Sequence, residues 1–143
     1  MFIKDIPSEC TNECMIKLLK EFGDVKNFKR THNSRGELLS FCYFDFETGE
    51  EILRLKRLFK NIRILDKTLE LKISPETENF VKEWITIQKD EWRKKLQAPG
   101  MNEAKEFPTI EDYHQRDDGK YKTKIEEVLR EVNVIFVIHT RHK

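Results

Sequence analysis

Three aromatic residues, Phe2, Phe41 and Tyr43, occupy positions from which they could stack on flat ring systems. Residues 1–7 and 38–46 are dense in apolar and aromatic side chains and predict two β-strands. Successive side chains of a strand face opposite sides of the sheet. If one side is buried, the three rings lie on the opposite, open side. The exposure of several adjacent rings to water is unfavourable, so we expect a partner to cover them. The pattern therefore predicts stacking of nucleic-acid bases, which contributes about 1–3 kcal/mol per base.

Basic residues close to these rings could contact the phosphates of such a ligand. Lys4 lies in the first predicted strand, and Lys26, Lys29 and Arg30 lie in a further predicted strand over 25–31 that borders the stacking face. The chain as a whole is nearly neutral, with 27 Lys and Arg against 26 Asp and Glu. Affinity for a nucleic acid must therefore come from local placement of charge, and we expect weak binding that neutralises few phosphates.

The elements that would position these residues follow the order β-α-β-β-α-β over residues 1–74. Thr11 predicts the N-cap of the first helix, and Thr48 with Glu51 matches the capping box that opens the second. An antiparallel sheet with two helices packed on one face is the ferredoxin-like, α+β arrangement, in which the first and third strands lie side by side. The last extended pieces are predicted at 62–65 and 69–73.

Both central strands resemble the signatures of the RNA recognition motif family. The shorter signature, Leu-Phe-Val-Gly-Asn-Leu, is matched by residues 1–6 at its apolar and aromatic places. The longer signature, K/R-G-F/Y-G/A-F-V-x-F/Y, is matched by residues 39–46 at its three aromatic places. The resemblance implies that Phe2, Phe41 and Tyr43 hold the stacking positions of an RNA recognition motif over residues 1–74.

The longer signature departs from the family pattern at its basic place and at its glycine places. Leu39 stands where the family has a basic residue, which removes one phosphate contact. Ser40 and Cys42 stand at the glycine places of the family signature. These departures predict weakened or altered RNA binding.

A narrower resemblance is to the RNA-binding motif protein twenty-five family of splicing factors. Similar stretches are residues 28–30, 36–44 and 53–58, and the run 65–73 that continues into a helix with Trp84. The resemblance implies a nuclear single-stranded RNA-binding protein that acts in pre-mRNA splicing, within or beside the U1 small nuclear ribonucleoprotein. Its expected partners are RNA and other ribonucleoprotein or spliceosomal proteins.

The chain beyond residue 74 predicts a helical extension and a tail. Ser74 and Pro75 predict the start of a helix that continues to about Gln97, where the turn at 98–100 ends it. In the tail, 98–143, the sequence predicts a polar tether over 101–120, a helix over 121–132 and an apolar strand over 134–138. We expect the apolar run to dock on the 76–97 helix, on a partner protein, or within the domain's own packing.

An alternative hypothesis assigns protein binding to the same chain. In it, the chain is a structural ribonucleoprotein subunit whose helix over 76–97 docks a protein through Trp84 and Trp92. That helix could also lie across Phe41 and Tyr43 and cover the stacking face. The path of the helix therefore discriminates the two hypotheses.

Composition and motif content exclude several other classes. With 143 residues, the chain suits one domain with extensions. The three cysteines are too few for a four-cysteine zinc site and predict reduced thiols. The longest apolar run, 134–138, is too short to cross a bilayer. Without a nucleophile–base pair or a phosphate-binding loop, we expect no enzyme, no cofactor, no metal, no membrane contact and no small-molecule substrate.

Overall fold

A computed structural model describes residues 1–100 and 106–141, with side chains described up to residue 133. The described part has six strands and five helices that we name in chain order. The strands are β1 (Phe2–Lys4), β2 (Lys26–Lys29), β3 (Cys42–Asp45), β4 (Arg63–Ile64), β5 (Lys67–Thr68) and β6 (Glu70–Lys72). The helices are α1 (Asn12–Leu19), α2 (Gly49–Leu58), α3 (Pro75–Gln97), α4 (Ile110–Gln115) and α5 (Asp118–Arg141).

Four strands form an antiparallel sheet in the order β2-β3-β1-β6. This places β1 and β3 side by side at the centre, and it confirms the ferredoxin-like α+β fold. The piece predicted at 62–65 does not join the sheet, because β4 turns back on β5 as a separate two-stranded hairpin. The following strand, β6, completes the sheet instead.

One face of the sheet packs against α1 and α2. Ile3, Cys42 and Phe44 from the central strands are buried among apolar side chains of both helices, including Leu18 and Leu55. Local sequence starts each helix as predicted. Thr11 Oγ1 accepts a hydrogen bond from the Cys14 amide at 3.2 Å, and Thr48 with Glu51 forms a complete capping box.

Helix α3 runs along α2 and does not cross the open face of the sheet. Ser74 caps it and Pro75 is its first residue, as the sequence predicts. The Trp84 ring lies so close to Gly49 in α2 that a Cβ there would come within 2.4 Å of it. The far end of α3 packs on α4, where Trp92 and Ile110 form a small second core. The α3 helix is therefore built into the helical side of the molecule.

The tail differs from the predicted tether and strand. Residues 110–115 and 118–120 are helical, and residues 134–138 continue α5 as helix, so both predictions are wrong there. An unbroken apolar run of this length is compatible with a strand or a helix, and here the preceding helix continues through it. Residues 101–105, also assigned to the tether, lie outside the described residues.

The described part of α5 packs on the domain itself. Ile125, Val128 and Val132 are buried in the same core as the sheet, and α5 contacts α1, α2 and β4. Asn133 Oδ1 accepts a hydrogen bond from the Leu65 amide at 2.9 Å. No helix within residues 1–100 and 106–141 combines the length and the apolar content that a membrane span requires.

Candidate nucleic-acid interface

The structure brings Phe2, Phe41 and Tyr43 together on the open face of the sheet. Phe2 and Tyr43 are directly opposite each other on β1 and β3. Ring centroids are 5.0 Å apart for Phe2 and Tyr43, 5.6 Å for Phe2 and Phe41, and 6.0 Å for Phe41 and Tyr43. Tyr43 is 51% exposed, and the two phenylalanines are partly exposed. The three rings form a continuous aromatic surface open to solvent.

Two lysines flank this surface along one row of the sheet. Strand pairing aligns Lys29 with Tyr43, Tyr43 with Phe2, and Phe2 with Lys72. Directly paired residues face the same side, so the row Lys29–Tyr43–Phe2–Lys72 presents two rings between two ammonium groups. Both lysines are exposed. Sequence reasoning missed Lys72 as a residue of the open face. Its position between Leu71 and Ile73 in a predicted strand could have placed it there, because neighbouring side chains of a strand face opposite sides.

A bulge in β2 places a second lysine on the same face. Lys26 pairs with Asp45 while Lys29 pairs with Tyr43, so three steps on β2 oppose two steps on β3. Asn27 takes up the extra residue with a φ of +53°, a conformation that asparagine tolerates better than most residues. Its side chain donates to Asp45 Oδ2 at 3.2 Å. Without this bulge, residues three apart would point to opposite sides.

Lys4 also lies on the open face, where it is partly neutralised. It follows Phe2 by two residues and pairs with Glu70 on β6. Lys4 Nζ lies 3.2 Å from Glu70 Oε2, and both side chains are substantially exposed. An exposed pair of this kind is weak, so Lys4 remains able to exchange the carboxylate for a phosphate.

The structure contradicts the prediction that Arg30 faces RNA. Arg30 is buried, and its guanidinium donates to the carbonyl oxygens of Pro7, Cys10 and Leu39. Burial in this setting lowers the pKa of Arg30 by desolvation. Because the bulge puts Lys29 on the open face, the next residue points inward, and Arg30 ties the loops at that end of the sheet together.

The two tryptophans predicted as protein-binding groups serve internal packing. Trp92 is buried, and its Nε1 donates to the Pro108 carbonyl at 3.4 Å. Trp84 is partly buried between Gly49 and His114. The prediction that Trp92 docks a partner is therefore wrong, because α4 already covers its ring.

Comparisons with known proteins show what this chain is similar to. The RNA recognition motif family matches residues 1–70. Proteins named RNA-binding protein 25 from Homo sapiens and Mus musculus are each 28% identical over 137 residues, which cover 92% of this chain. The match spans only 15% of the length of those relatives. A solved structure of the Rna15 RRM with bound RNA (GU) aligns with 53% of this chain and 82% of its own, at 19% identity and a TM-score of 0.49.

Proposed function

We propose that this chain binds single-stranded RNA on its open sheet face, because residues 1–70 belong to the RNA recognition motif family. Phe2, Phe41 and Tyr43 stack on bases, and Lys4, Lys26, Lys29 and Lys72 contact the backbone. The chain acts by binding and carries out no catalysis. The observation that carries the proposal is the row Lys29–Tyr43–Phe2–Lys72. It places two aromatic rings between two lysines across the four strands of the sheet.

A single-stranded ligand suits this surface better than a duplex. The bases of an unpaired strand can splay onto a sheet, whereas those of an A-form duplex lie in a groove too deep and narrow to reach. The rings are sequence-tolerant platforms because every base has a stacking face. With Leu39 at the usual basic position and Arg30 buried, few phosphates are neutralised and the affinity of the isolated chain is modest.

The cellular role we propose is nuclear pre-mRNA splicing, within or beside the U1 small nuclear ribonucleoprotein. Similarity to proteins named RNA-binding protein 25 extends over 92% of the chain, which includes α3 and the tail as well as the sheet. This supports a shared use of the whole chain among other ribonucleoprotein or spliceosomal proteins.

One observation favours the alternative function, in which the chain is a structural subunit that holds a protein. Phe80 and Ile87 on α3 are 45% and 55% exposed, which leaves an apolar stripe on the helical side. That stripe does not compete with the proposed RNA surface, because α3 lies on α2 and not across Phe41 and Tyr43. RNA binding is therefore the function we place first.

A direct test compares RNA affinity in two variants of the full chain. Phe41→Ala with Tyr43→Ala removes two stacking platforms and should weaken binding of a labelled pool of single-stranded 12-mers at least tenfold, measured by fluorescence anisotropy. Phe80→Ala removes an exposed ring on α3 and should leave the affinity unchanged. A folded double variant that binds RNA as the unmodified chain does would overturn the proposal.

A further inference from the structure

An open groove lies where the end of β3 meets the first turns of α2 and α3. Its volume is about 350 Å³. The apolar part of its lining consists of Met1, Phe46, Ile52 and Phe80. Phe46 and Ile52 are buried and belong to the core of the domain, whereas Phe80 is 45% exposed. The groove thus combines a floor that is part of the core with an aromatic side chain left open to solvent.

Three exposed carboxylates line the same groove, those of Asp45, Glu47 and Glu76. Asp45 is partly neutralised, because its Oδ1 lies 3.6 Å from the Met1 amino group and its Oδ2 accepts a hydrogen bond from Asn27. Glu47 and Glu76 have no ion pair within the part of the chain that the structure describes. The described residues of the lining include no lysine or arginine. Negative charge therefore lies beside apolar surface without a basic side chain to balance it.

The two glutamates also have a local role that needs no ligand. Glu76 lies in the first turn of α3, and Glu47 precedes Thr48, the N-cap of α2. A negative charge is favourable at both places because of the helix dipole, so charge alone does not define a site here.

The apolar surface beside the carboxylates has no such local explanation. Phe80 begins a stripe on α3 that continues through Trp84 to Ile87, four and seven residues further along and so on the same side of the helix. Ile87 is 55% exposed. An exposed apolar surface bordered by polar residues is typical of a protein interface.

We propose that the groove binds a basic segment of a protein partner. One aliphatic side chain of that segment enters the apolar floor beside Phe80, and the lysine or arginine residues that flank it pair with Glu47 and Glu76. Only Asp45 also lies on the open sheet face, two residues after Tyr43, so this site does not depend on the RNA-binding proposal.

Charge and openness together select this class of partner. Three carboxylates repel the phosphates of nucleic acids and of anionic membrane surfaces. A small ligand is held in a pocket that covers most of its surface, whereas this groove leaves Phe80 and the carboxylates exposed. A protein segment can continue from the groove along the stripe on α3 and bury more surface there.

A second copy of this chain is a different occupant of the same chemistry. At the far end of α3, four consecutive residues are exposed and combine basic groups with one apolar side chain: Arg93, Lys94, Lys95 and Leu96. Groove and basic segment lie at opposite ends of one helix, so their pairing between copies would be head-to-tail and would form a ring or an open filament. We therefore assign the groove to a different protein, and self-association is an outcome of the tests.

The first test titrates the full chain with a synthetic peptide whose central leucine has two arginines on each side. Binding should be saturable and should shift the NMR ring signals of Phe80. Replacing the leucine by serine, or all four arginines by glutamate, should weaken binding at least tenfold. Absence of saturable binding, or equal affinity for the leucine peptide and either replacement, would overturn the proposal.

The second test separates the groove from the net charge of the chain. Glu47→Gln with Glu76→Gln removes two charges and keeps the side-chain size, and it should weaken binding of the arginine peptide at least threefold. Glu9→Gln with Glu37→Gln makes the same change in net charge at exposed positions near the opposite end of the sheet and should not weaken it. The RNA affinity should not fall in either variant. Equal peptide affinity in the two variants would overturn the proposal.

The third test distinguishes a different protein from a second copy. The full chain should remain a monomer in sedimentation velocity at the concentrations used for the titration. A concentration-dependent assembly that Glu47→Gln with Glu76→Gln abolishes would assign the groove to a second copy and overturn its assignment to a different protein.

Discussion

Adjacent basic residues have opposite uses in this molecule. Lys29 pairs with Tyr43 on the open face, while Arg30 is buried and donates to backbone carbonyls. Both residues stand in the same predicted strand, and nothing local in the sequence shows which of them faces outward. The difference follows from the bulge at Asn27, which shifts the register by one residue.

The first prediction concerns the salt dependence of RNA binding. Lys72→Ala removes one ammonium group from the row and should lower the slope of log K against log salt by about 0.7 for a single strand. Lys67→Ala, at an exposed position of the β4–β5 hairpin, is the matched control and should not change the slope. Fluorescence anisotropy over a range of salt concentrations measures both. Equal slopes for the Lys72 variant and the unmodified chain would remove Lys72 from the interface.

The second prediction concerns stability at Arg30. Arg30→Met keeps much of the side-chain volume but removes the guanidinium donor from the carbonyl oxygens of Pro7, Cys10 and Leu39, of which Pro7 keeps the Cys10 amide as a second donor. We expect the free energy of unfolding to fall by about 3 kcal/mol, since each unpaired buried polar group is costly. Urea denaturation measures this loss, and Arg35→Met in the exposed loop should cost almost nothing. A variant as stable as the control would contradict the structural role of Arg30.

At the scale of elements, the sequence predicts features that depend on neighbouring residues, but not those that depend on distant parts of the chain. The caps at Thr11, Thr48 and Ser74 are set by residues within one turn, so the sequence predicts the starts of α1, α2 and α3. The alternation around Phe2 and Tyr43 likewise places both rings on one face. Residues 134–138 were misassigned as a strand, because an apolar run alone has no periodicity that distinguishes the two structures.

The third prediction tests the docking of α3 on α2. Gly49→Ala places a methyl group where the Trp84 ring now lies, so either the ring or the helix must move. Overpacking of this kind should lower the free energy of unfolding by about 1–3 kcal/mol in urea denaturation.

A matched glycine provides the control for that prediction. Gly119 is in α5, and the described structure leaves open space where a Cβ at this position would lie. Gly119→Ala should therefore raise stability by up to about 1 kcal/mol, through helix propensity alone. If both substitutions change stability equally, Trp84 is not held against Gly49.

The whole molecule has two unequal sides. The sheet leaves one face open for a ligand, while its other face is covered by α1 and α2 and then by α3 and α5. Val81 from α3 and Val128 from α5 are buried in the same core as the sheet. The match to the family model ends at residue 70. The hydrophobic core nevertheless continues into the helices that follow. Sequence alone indicated the apolar spacing of α5 but not the surface on which it docks.

The fourth prediction concerns the C-terminal helices. Truncation after Gly100 removes α4 and α5 and exposes the part of the core that Ile125, Val128 and Val132 now cover. We expect a large fall in melting temperature and loss of solubility. Glu131→Ala, which removes only the exposed ion pair with Lys17, should leave the melting temperature nearly unchanged. A truncated chain with the melting temperature of the full chain would contradict the packing of α5.

The measurement that tests the central claim most directly is aromatic NMR of the full chain during titration with a single-stranded RNA pool. Bases that stack on the open face should shift the ring signals of Phe2, Phe41 and Tyr43 in a saturable manner. The ring signals of Phe80 and Trp84, on the helical side, should not move. Shifts confined to Phe80 and Trp84, or no shifts at any ring, would contradict RNA binding by this sheet.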